Sequence, residues 1–288
     1  MNKTIYMTYK RRIPQKVKDR WIEHNADYKI EFSLDKDCVS FLERHFSKNV
    51  SELFNKIDKG MFKADLWRIC KLYENGGVYA DVDLVPYLSV DTLDDSITFY
   101  SCLSIESGSI FQAFIANFAA PKHPLFLVFL LSFVINEPYE HDNGPTFDMY
   151  RCIKHILDVD TILPQTRYDS DHVKVKVCIG ASKKNIKRIN LGYFPADIDY
   201  SIILHETHHK DKFDFNIHDN YLTITRTDET IGWGCEHHID ICFPCKTSFF
   251  FFQEVCGPNN DWVASYVVDK GNKIFDSRDI NYHNNGGW

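Results

Sequence analysis

Two carboxylates, Asp81 and Asp83, alternate with apolar residues in the run Val78-Tyr79-Ala80-Asp81-Val82-Asp83-Leu84-Val85, and the spacing predicts a strand over 77–85. Side chains alternate along a strand, so both are expected on one side. There a single cation draws on both, or on one while the other holds substrate hydroxyls. Carboxylate oxygens are hard ligands suited to Mg2+ or Mn2+, with phosphate oxygens and waters completing the shell. The strand is entered through Gly76-Gly77, which supply the positive φ that stops a helix. Before them, Leu66, Ile69, Cys70 and Tyr73 recur at i, i+3, i+4 and i+7, the mark of one buried face on a helix over 60–75. That helix also carries Asp65 and Arg68, at i and i+3. As an exposed ion pair they contribute ~0.2–0.5 kcal/mol; the sharper reading is a clamp on sugar hydroxyls. Helix, glycine stop and acidic strand end together have the layout of a metal-diphosphate site.

The triplet alone carries little weight, because four other D-x-D triplets occur, at Asp35/Asp37, Asp158/Asp160, Asp169/Asp171 and Asp197/Asp199. Asp81/Asp83 differs in context: it ends an apolar strand entered through a double glycine from an amphipathic helix.

With that context the run A-D-L-W-R-I-C-K-L-Y-E-N-G-G-V-Y-A-D-V-D resembles the sugar-binding D-x-D region of glycosyltransferase family 32, and is similar to the matching region of the large glucosylating toxins. Upstream, Ile5-Tyr6-Met7-Thr8-Tyr9-Lys10, Ile13-Pro14, Trp21 and Asn25-Ala26-Asp27-Tyr28 resemble the family's first strand, its I-P step and the helix after it. Downstream, the stretch from Asn117 to Leu125 resembles its N-x-x-x-A-x-x-x-H-P-x element, and Asn143-Gly144-Pro145-Thr146 its T-G-P step. The resemblance covers roughly residues 3–195. It departs at Asn143, where Thr is usual, at Ala26, where Pro is, and at Ala80, where a larger apolar residue is common. The terminal signature, His followed five residues later by Trp, is met by His283 and Trp288, with Gly287 in place of the usual Ser; His205/His208 competes for the same role.

The resemblance implies an α/β fold of the GT-A nucleotide-sugar transferase type, a mostly parallel sheet flanked by helices, with a β-rich C-terminal segment added. It implies a metal-dependent, retaining hexosyltransferase that uses Mn2+ or Mg2+. The donor is a nucleotide-diphosphate sugar, UDP-sugar favoured and GDP-sugar possible, and the acceptor a glycan or protein hydroxyl. A non-catalytic sugar-nucleotide-binding or carbohydrate-binding paralogue is the alternative; retention of Asp65, Arg68, Asp81 and Asp83 favours the enzyme. By the same resemblance Asp83 is the first metal ligand, with Asp81 and His283 beside it. Asp81 reaches ribose or sugar hydroxyls, and Asp65 and Arg68 orient the donor sugar. Thr8, Tyr9 and Lys10 lie near the base or phosphates, and Tyr79, Asn117 and Trp288 complete the donor site. Asn117 and His123 are candidates near the sugar, with a helix-capping role for the stretch before Pro124 as the alternative. Departure of a nucleoside diphosphate leaves concentrated negative charge, which a metal neutralises as a Lewis acid.

Bulk properties suit a nucleotide-binding domain with an elaboration: 288 residues, 44% hydrophobic and 15% aromatic. A net charge of −7 gives no general attraction to nucleic acid or anionic membrane. The basic cluster Lys183-Lys184 with Lys187-Arg188 reads as a solvated loop or edge strand. Nine cysteines, an odd number without a repeating framework, argue for reduced thiols. With no apolar signal core at the N-terminus, a cytoplasmic location is expected, peripheral to a membrane at most. Phe126 to Ile135 is too short to span a bilayer, and Phe249-Phe250-Phe251-Phe252 is shorter still, so both read as buried elements.

The periodicities predict strands over 3–8, 28–33 and 77–85, and helices over 14–25, 35–47, 50–58 and 60–75. Strands follow near 97–103 and 110–116, then helices near 123–136 and 146–157. Ligands of such sheets sit beyond the carboxyl ends of strands, where Asp81 and Asp83 fall. From about Tyr200 the texture turns to strands, at 221–227, 246–253 and 262–268, joined by turn signals. We therefore divide the chain into a catalytic part, 1–200, and a β-rich extension, 201–288, which either stands apart or completes the same domain. Its role is open between acceptor or partner docking and completion of the fold. His205-Glu206-Thr207-His208-His209 satisfies the zinc-peptidase H-E-x-x-H pattern, but flanking residues that read as strands oppose the helix it needs. Cys242-Phe243-Pro244-Cys245, near Cys235, His237 and His238, is read as buried or hairpin cysteines before a zinc site. Trp233, Trp262, Tyr221 and Tyr266 form either a stacking surface for an acceptor sugar or core.

Overall fold

The computed structural model describes residues 2–46, 48–104, 108–135, 144–178, 186–190, 200–204, 213–218, 221–226, 238–260 and 264–276. The N-terminal half alternates strand and helix: β1 (Thr4–Thr8), α1 (Gln15–His24), β2 (Lys29–Ser33), α2 (Asp35–His45), α3 (Lys48–Lys56), α4 (Gly60–Asn75) and β3 (Gly77–Ala80). Helical crossovers bring β2 and β3 parallel to β1 on its two sides. A two-residue strand, β4 (Val85–Pro86), precedes the hairpin of β5 (Phe99–Leu103) and β6 (Ile110–Asn117); α5 (Pro124–Ile135) and α6 (Pro145–Leu157) come next. The remainder is strand: β7 (Arg167–Cys178), β8 (Ile186–Asn190), β9 (Ser201–Leu204), β10 (Phe213–His218), β11 (Tyr221–Arg226), β12 (His238–Val255), β13 (Tyr266–Asp269) and β14 (Asn272–Asp276).

Eleven of these strands form one mixed sheet in the order β2-β1-β3-β6-β5-β12-β13-β14-β4, with β7 and β9 also pairing β12; β10, β11 and β8 form a second, smaller sheet. The α/β class is as expected, but the sheet is mixed where a mostly parallel one was anticipated. Among the described residues only the β1–β2, β1–β3 and β5–β12 pairings are parallel. A short connection between β5 and β6 enforces an antiparallel hairpin, and the late strands join antiparallel to β12 and to each other.

Apolar residues are divided between the two faces of this sheet. Tyr6, Tyr79, Phe99, Phe249 and Phe251 pack with α2 to α6, whereas Ile5, Met7, Val78, Ala80, Phe114 and Phe252 pack with α1 through Val17 and Trp21. The four-phenylalanine run is thus a strand buried on both faces, which explains why it shows no polar alternation. α5 is apolar around its whole circumference because it is buried, with residues 125–131 at most 2% exposed. Among the described residues no helix is long and apolar enough to cross a membrane.

Two strands of the late segment were not anticipated. β7 aligns Val173, Val175 and Val177 inward, a period-two signal preceded by the charged run Arg167–His172. β14 pairs with β4 and so anchors the chain immediately after the acidic pair.

Candidate functional site

α4 ends at Gly76, whose φ of 64° starts the reversal into β3, and Gly77 continues it at φ 89°. A side chain at Gly77 would meet the Thr4 carbonyl oxygen at 2.8 Å, so glycine permits the close approach of β3 to β1. Residues 77–80 are fully embedded, and then the chain leaves the sheet. The Asp81 N–H still donates to the Ala113 carbonyl (2.8 Å), and Leu84 N–H donates back to Asp81 O (3.2 Å), closing a turn over Asp81–Leu84. The expected strand over 77–85 is therefore interrupted: the acidic pair occupies a turn beyond the carboxyl end of β3, and strand alternation is not what orients it. The turn nonetheless places Asp81 and Asp83 on one cavity of about 380 Å³. Thr8, Tyr9 and Lys10, at the carboxyl end of neighbouring β1, line it too.

Along α4, Gly60, Ala64 and Arg68 recur at i, i+4 and i+8 and face this cavity; the first two leave room and the third supplies charge. Asp65 and Arg68 are 5% and 4% exposed, so the bland reading of a surface ion pair does not hold. Arg68 Nη2 lies 3.2 Å from Asp65 Oδ1 and 3.5 Å from Asp81 Oδ1. Its Nε donates to the Ala64 carbonyl (3.2 Å), its Nη1 to the Gln112 carbonyl, and its guanidinium stacks 4.2 Å from the centre of the Tyr79 ring. Tyr79 OH donates to the same Asp81 oxygen at 2.5 Å. Asp81 is thus aimed from beneath by a tyrosine and an arginine, while its side chain stays one-third exposed toward the cavity.

The electrostatics follow from this crowding. Burial pushes the Asp65 carboxyl up to about 6; the Arg68 guanidinium pulls it down and the Asp81 charge raises it further. Burial works against the charge on Arg68, but Tyr79 and the Asp81, Asp65 and Asp83 carboxylates outweigh it and hold its pKa above the ordinary value. Burial is also the main reason the Tyr79 hydroxyl is held well above its usual range, so it stays protonated and donates to Asp81. Asp81, one-third exposed, and Asp83, 4% exposed, both line the cavity; two carboxylates meet the requirement of Mg2+ or Mn2+, which take one or two and fill their remaining positions with phosphate and water.

Other expected site residues are placed as follows. Thr8 Oγ1 donates to the Ser33 carbonyl (3.0 Å), tying the ends of β1 and β2 at the cavity edge, and Lys10 Nζ lies 5.8 Å from the Tyr9 ring centre. Asn117 is a correction. It pairs with Gly77, at the end of β3 remote from Asp81, is fully buried, and is spent on the backbone. Its Nδ2 donates to the Leu72 carbonyl (3.0 Å) and its Oδ1 accepts from Ala119 N–H (3.0 Å), which fastens the last turn of α4. His123 takes its capping alternative: Nδ1 accepts from Leu125 N–H at the start of α5 (3.3 Å), which leaves Nε2 to donate to the Lys246 carbonyl (3.4 Å). His283 and Trp288 lie outside the described residues, as do His205–His209, Trp233, Cys235, His237 and Trp262. Cys242 and Cys245 are free thiols in β12, and Tyr221 and Tyr266 belong to different sheets. Sequence reasoning passed over Asp35, Met61 and Lys63, which also line the cavity; the Gly60/Ala64/Arg68 stripe is the signal that points to the last two.

Residues 13–100, from Ile13 through α4 and the acidic turn into β5, match the family described as the glycosyltransferase sugar-binding region containing a DXD motif. Over 99 residues the chain is 32% identical to the initiation-specific alpha-1,6-mannosyltransferase of Candida albicans, a match covering 31% of this chain and 26% of that protein. The chain thus spans about a quarter of the length of that curated relative. Among solved structures it is similar to the PaToxG glycosyltransferase, at 16% identity and a TM-score of 0.43, over 54% of this chain and 68% of that one.

Proposed function

We propose that this protein is a metal-dependent glycosyltransferase of the GT-A type. It moves a hexosyl unit from a nucleotide-diphosphate sugar to a hydroxyl of a glycan or protein, with retention of configuration. The observation that carries the reading is the cavity beyond β1 and β3, where the Asp81/Asp83 turn meets the buried Asp65–Arg68 pair within the sugar-binding region. A UDP-sugar is the first donor to test; the mannosyltransferase relative makes a GDP-sugar the second.

Asp81 and Asp83 would hold Mn2+ or Mg2+, which supplies Lewis-acid neutralisation of the departing diphosphate. Asp83 is the principal ligand in this reading, and Asp81, aimed by Tyr79 and Arg68, reaches ribose or sugar hydroxyls. Asp65 and Arg68 orient the sugar. Lys10 and Lys63, both lining the cavity, offset phosphate charge. No protein nucleophile is required when the acceptor attacks on the face the diphosphate leaves. The late strands β12, β13 and β14 lie within the sheet that bears the site, which supports reading 201–288 as completing the domain of 1–200. The free buried thiols of Cys38, Cys70, Cys102 and Cys152 fit a reducing compartment, the cytoplasm.

The test is a thermal-shift screen of UDP- and GDP-sugars with Mn2+, run on wild type, Asp83→Ala and Glu206→Gln. At donor concentrations about a hundredfold above Kd, wild type should gain about 3 kcal/mol. Asp83→Ala should lose the metal-dependent part, and Glu206→Gln should respond as wild type does. No stabilisation of wild type by any nucleotide sugar or nucleoside diphosphate would end the reading.

A further inference from the structure

We propose that Asp35 reads the base of the donor nucleotide and that this base is guanine, an assignment that rests on the donor reading above and reverses its order of donors. Strands β2, β1 and β3 lie side by side and parallel, so their carboxyl ends share one edge of the sheet. Asp35, just beyond β2, lines the same cavity as the acidic turn just beyond β3. Two strand spacings, about 10 Å, separate those two ends, with Thr8, Tyr9 and Lys10 at the end of β1 between them. Along α4, Gly60 lines the cavity two helical turns before Arg68, about 12 Å away. A sugar over Asp65 and Arg68 and a diphosphate at Asp81 and Asp83 leave the ends of β1 and β2 and the first turn of α4 for the nucleoside. Ribose follows the diphosphate directly. The base is the far end of the molecule and falls beside Asp35.

The fold itself makes no use of the Asp35 side chain. Of the two carboxylates in the first turn of α2, Asp37 closes the cap, its Oδ2 accepting from the Leu34 N–H at 3.0 Å. Asp35 is exposed, and no hydrogen bond or ion pair holds it to another described residue, although Lys10 and Lys63 line the same cavity. A carboxylate only accepts hydrogen bonds, so it selects a base edge that presents donors side by side. Guanine does so with N1–H and its exocyclic amino group, and a carboxylate takes both in parallel, charge-assisted bonds. Uracil offers one N3–H between two carbonyl oxygens that repel the carboxylate. Adenine and cytosine set their amino group beside a bare ring nitrogen, which repels it too. Room for the larger purine is present at Gly60, where a Cβ would meet nothing within 4 Å. Gly60 is not among the positive-φ residues, so the backbone does not call for glycine there, and glycine weakens the helix it begins.

The test is calorimetric titration of wild type and Asp35→Asn with GDP, inosine diphosphate, xanthosine diphosphate and UDP in Mn2+. Inosine diphosphate lacks the exocyclic amino group, and xanthosine diphosphate carries a carbonyl in its place. Wild type should bind GDP about tenfold more tightly than any of the other three. Asp35→Asn presents one acceptor and one donor, the pattern that matches xanthine, and should bind xanthosine diphosphate more tightly than GDP by a similar factor. Wild type that binds UDP or inosine diphosphate as tightly as GDP overturns the base assignment and leaves the donor reading standing. A variant that loses affinity equally for all four places Asp35 on the ribose, and one that keeps the preference for GDP shows no contact; either result overturns the assignment as well. If wild type binds none of the four probes, the donor reading falls and takes this assignment with it.

Discussion

Replacing Asp65 with asparagine should make the chain more stable at neutral pH and worse at holding donor. Asp65 is 5% exposed, and its carboxyl is pushed from an ordinary 3.8 to about 6, chiefly by burial. A folded-state pKa above the unfolded one means that the folded chain holds the proton more tightly. The stability this confers is fully present below about pH 3.8, declines as pH rises, and is lost above about pH 6. At roughly 1.4 kcal/mol per pH unit, the ionised carboxylate costs between about 1 and 2 kcal/mol at pH 5 and about 3 kcal/mol at pH 7.5. Asparagine keeps the shape and an acceptor for Arg68 but cannot ionise. Urea denaturation in metal-free buffer should therefore show an advantage for Asp65→Asn that grows by about 1 kcal/mol between pH 5 and pH 7.5. At the higher pH its Tm should lie about 5 °C above wild type. Donor affinity should fall tenfold or more, as expected where a site stores strain for function. An advantage that does not change with pH, or a variant less stable than wild type at pH 7.5, would refute the reasoning.

Arg68 neutralises Asp65 and Asp81 from within the protein, so Arg68→Ala should cost about 3–5 kcal/mol. Much of that should return in the double variant with Asp65→Asn, as read by a urea-denaturation double-mutant cycle; additive effects would show that the charges are not coupled. Asn117→Ala should lower stability by about 2 kcal/mol through its two backbone hydrogen bonds. Nucleotide-sugar affinity should be unchanged, and a selective loss of binding would restore Asn117 to the donor site. Gly77→Ala should destabilise by about 2 kcal/mol or more, since it strains a φ of 89° and drives a methyl group against the Thr4 carbonyl. Thermal unfolding near wild type would contradict that account of the β1–β3 approach.

Much of the N-terminal half was legible because its signals are local. The stripe Leu66, Ile69, Cys70 and Tyr73 marks a helix, and α4 spans Gly60–Asn75 with those residues buried. The D-x-D context pointed to the end of a strand beside a cavity, but for the wrong local reason. Alternation in the sequence implied a strand, whereas the sheet ends at Ala80 because Asp81 is the last residue whose N–H finds a β6 carbonyl. Asn117 shows the opposite limit: an asparagine matched to a family pattern is equally suited to capping backbone groups, and only the pairing of β6 with β3 shows which it does.

The sequence by itself determined the helix, the double-glycine stop and the presence of an acidic pair at a strand end, because each depends on residues within a few positions of one another. Tertiary structure decided three other matters. It inserted β12, more than 130 residues away in the chain, between β5 and β13 at the centre of the sheet. It buried Asp65 and Arg68 against β3 and β6, turning a surface pair into a strained charge network. It also set the carboxyl ends of β1 and β3 side by side so that their loops enclose one cavity. Strand order, burial and enclosure depend on contacts between distant segments, and neither periodicity nor spacing encodes which segments will meet.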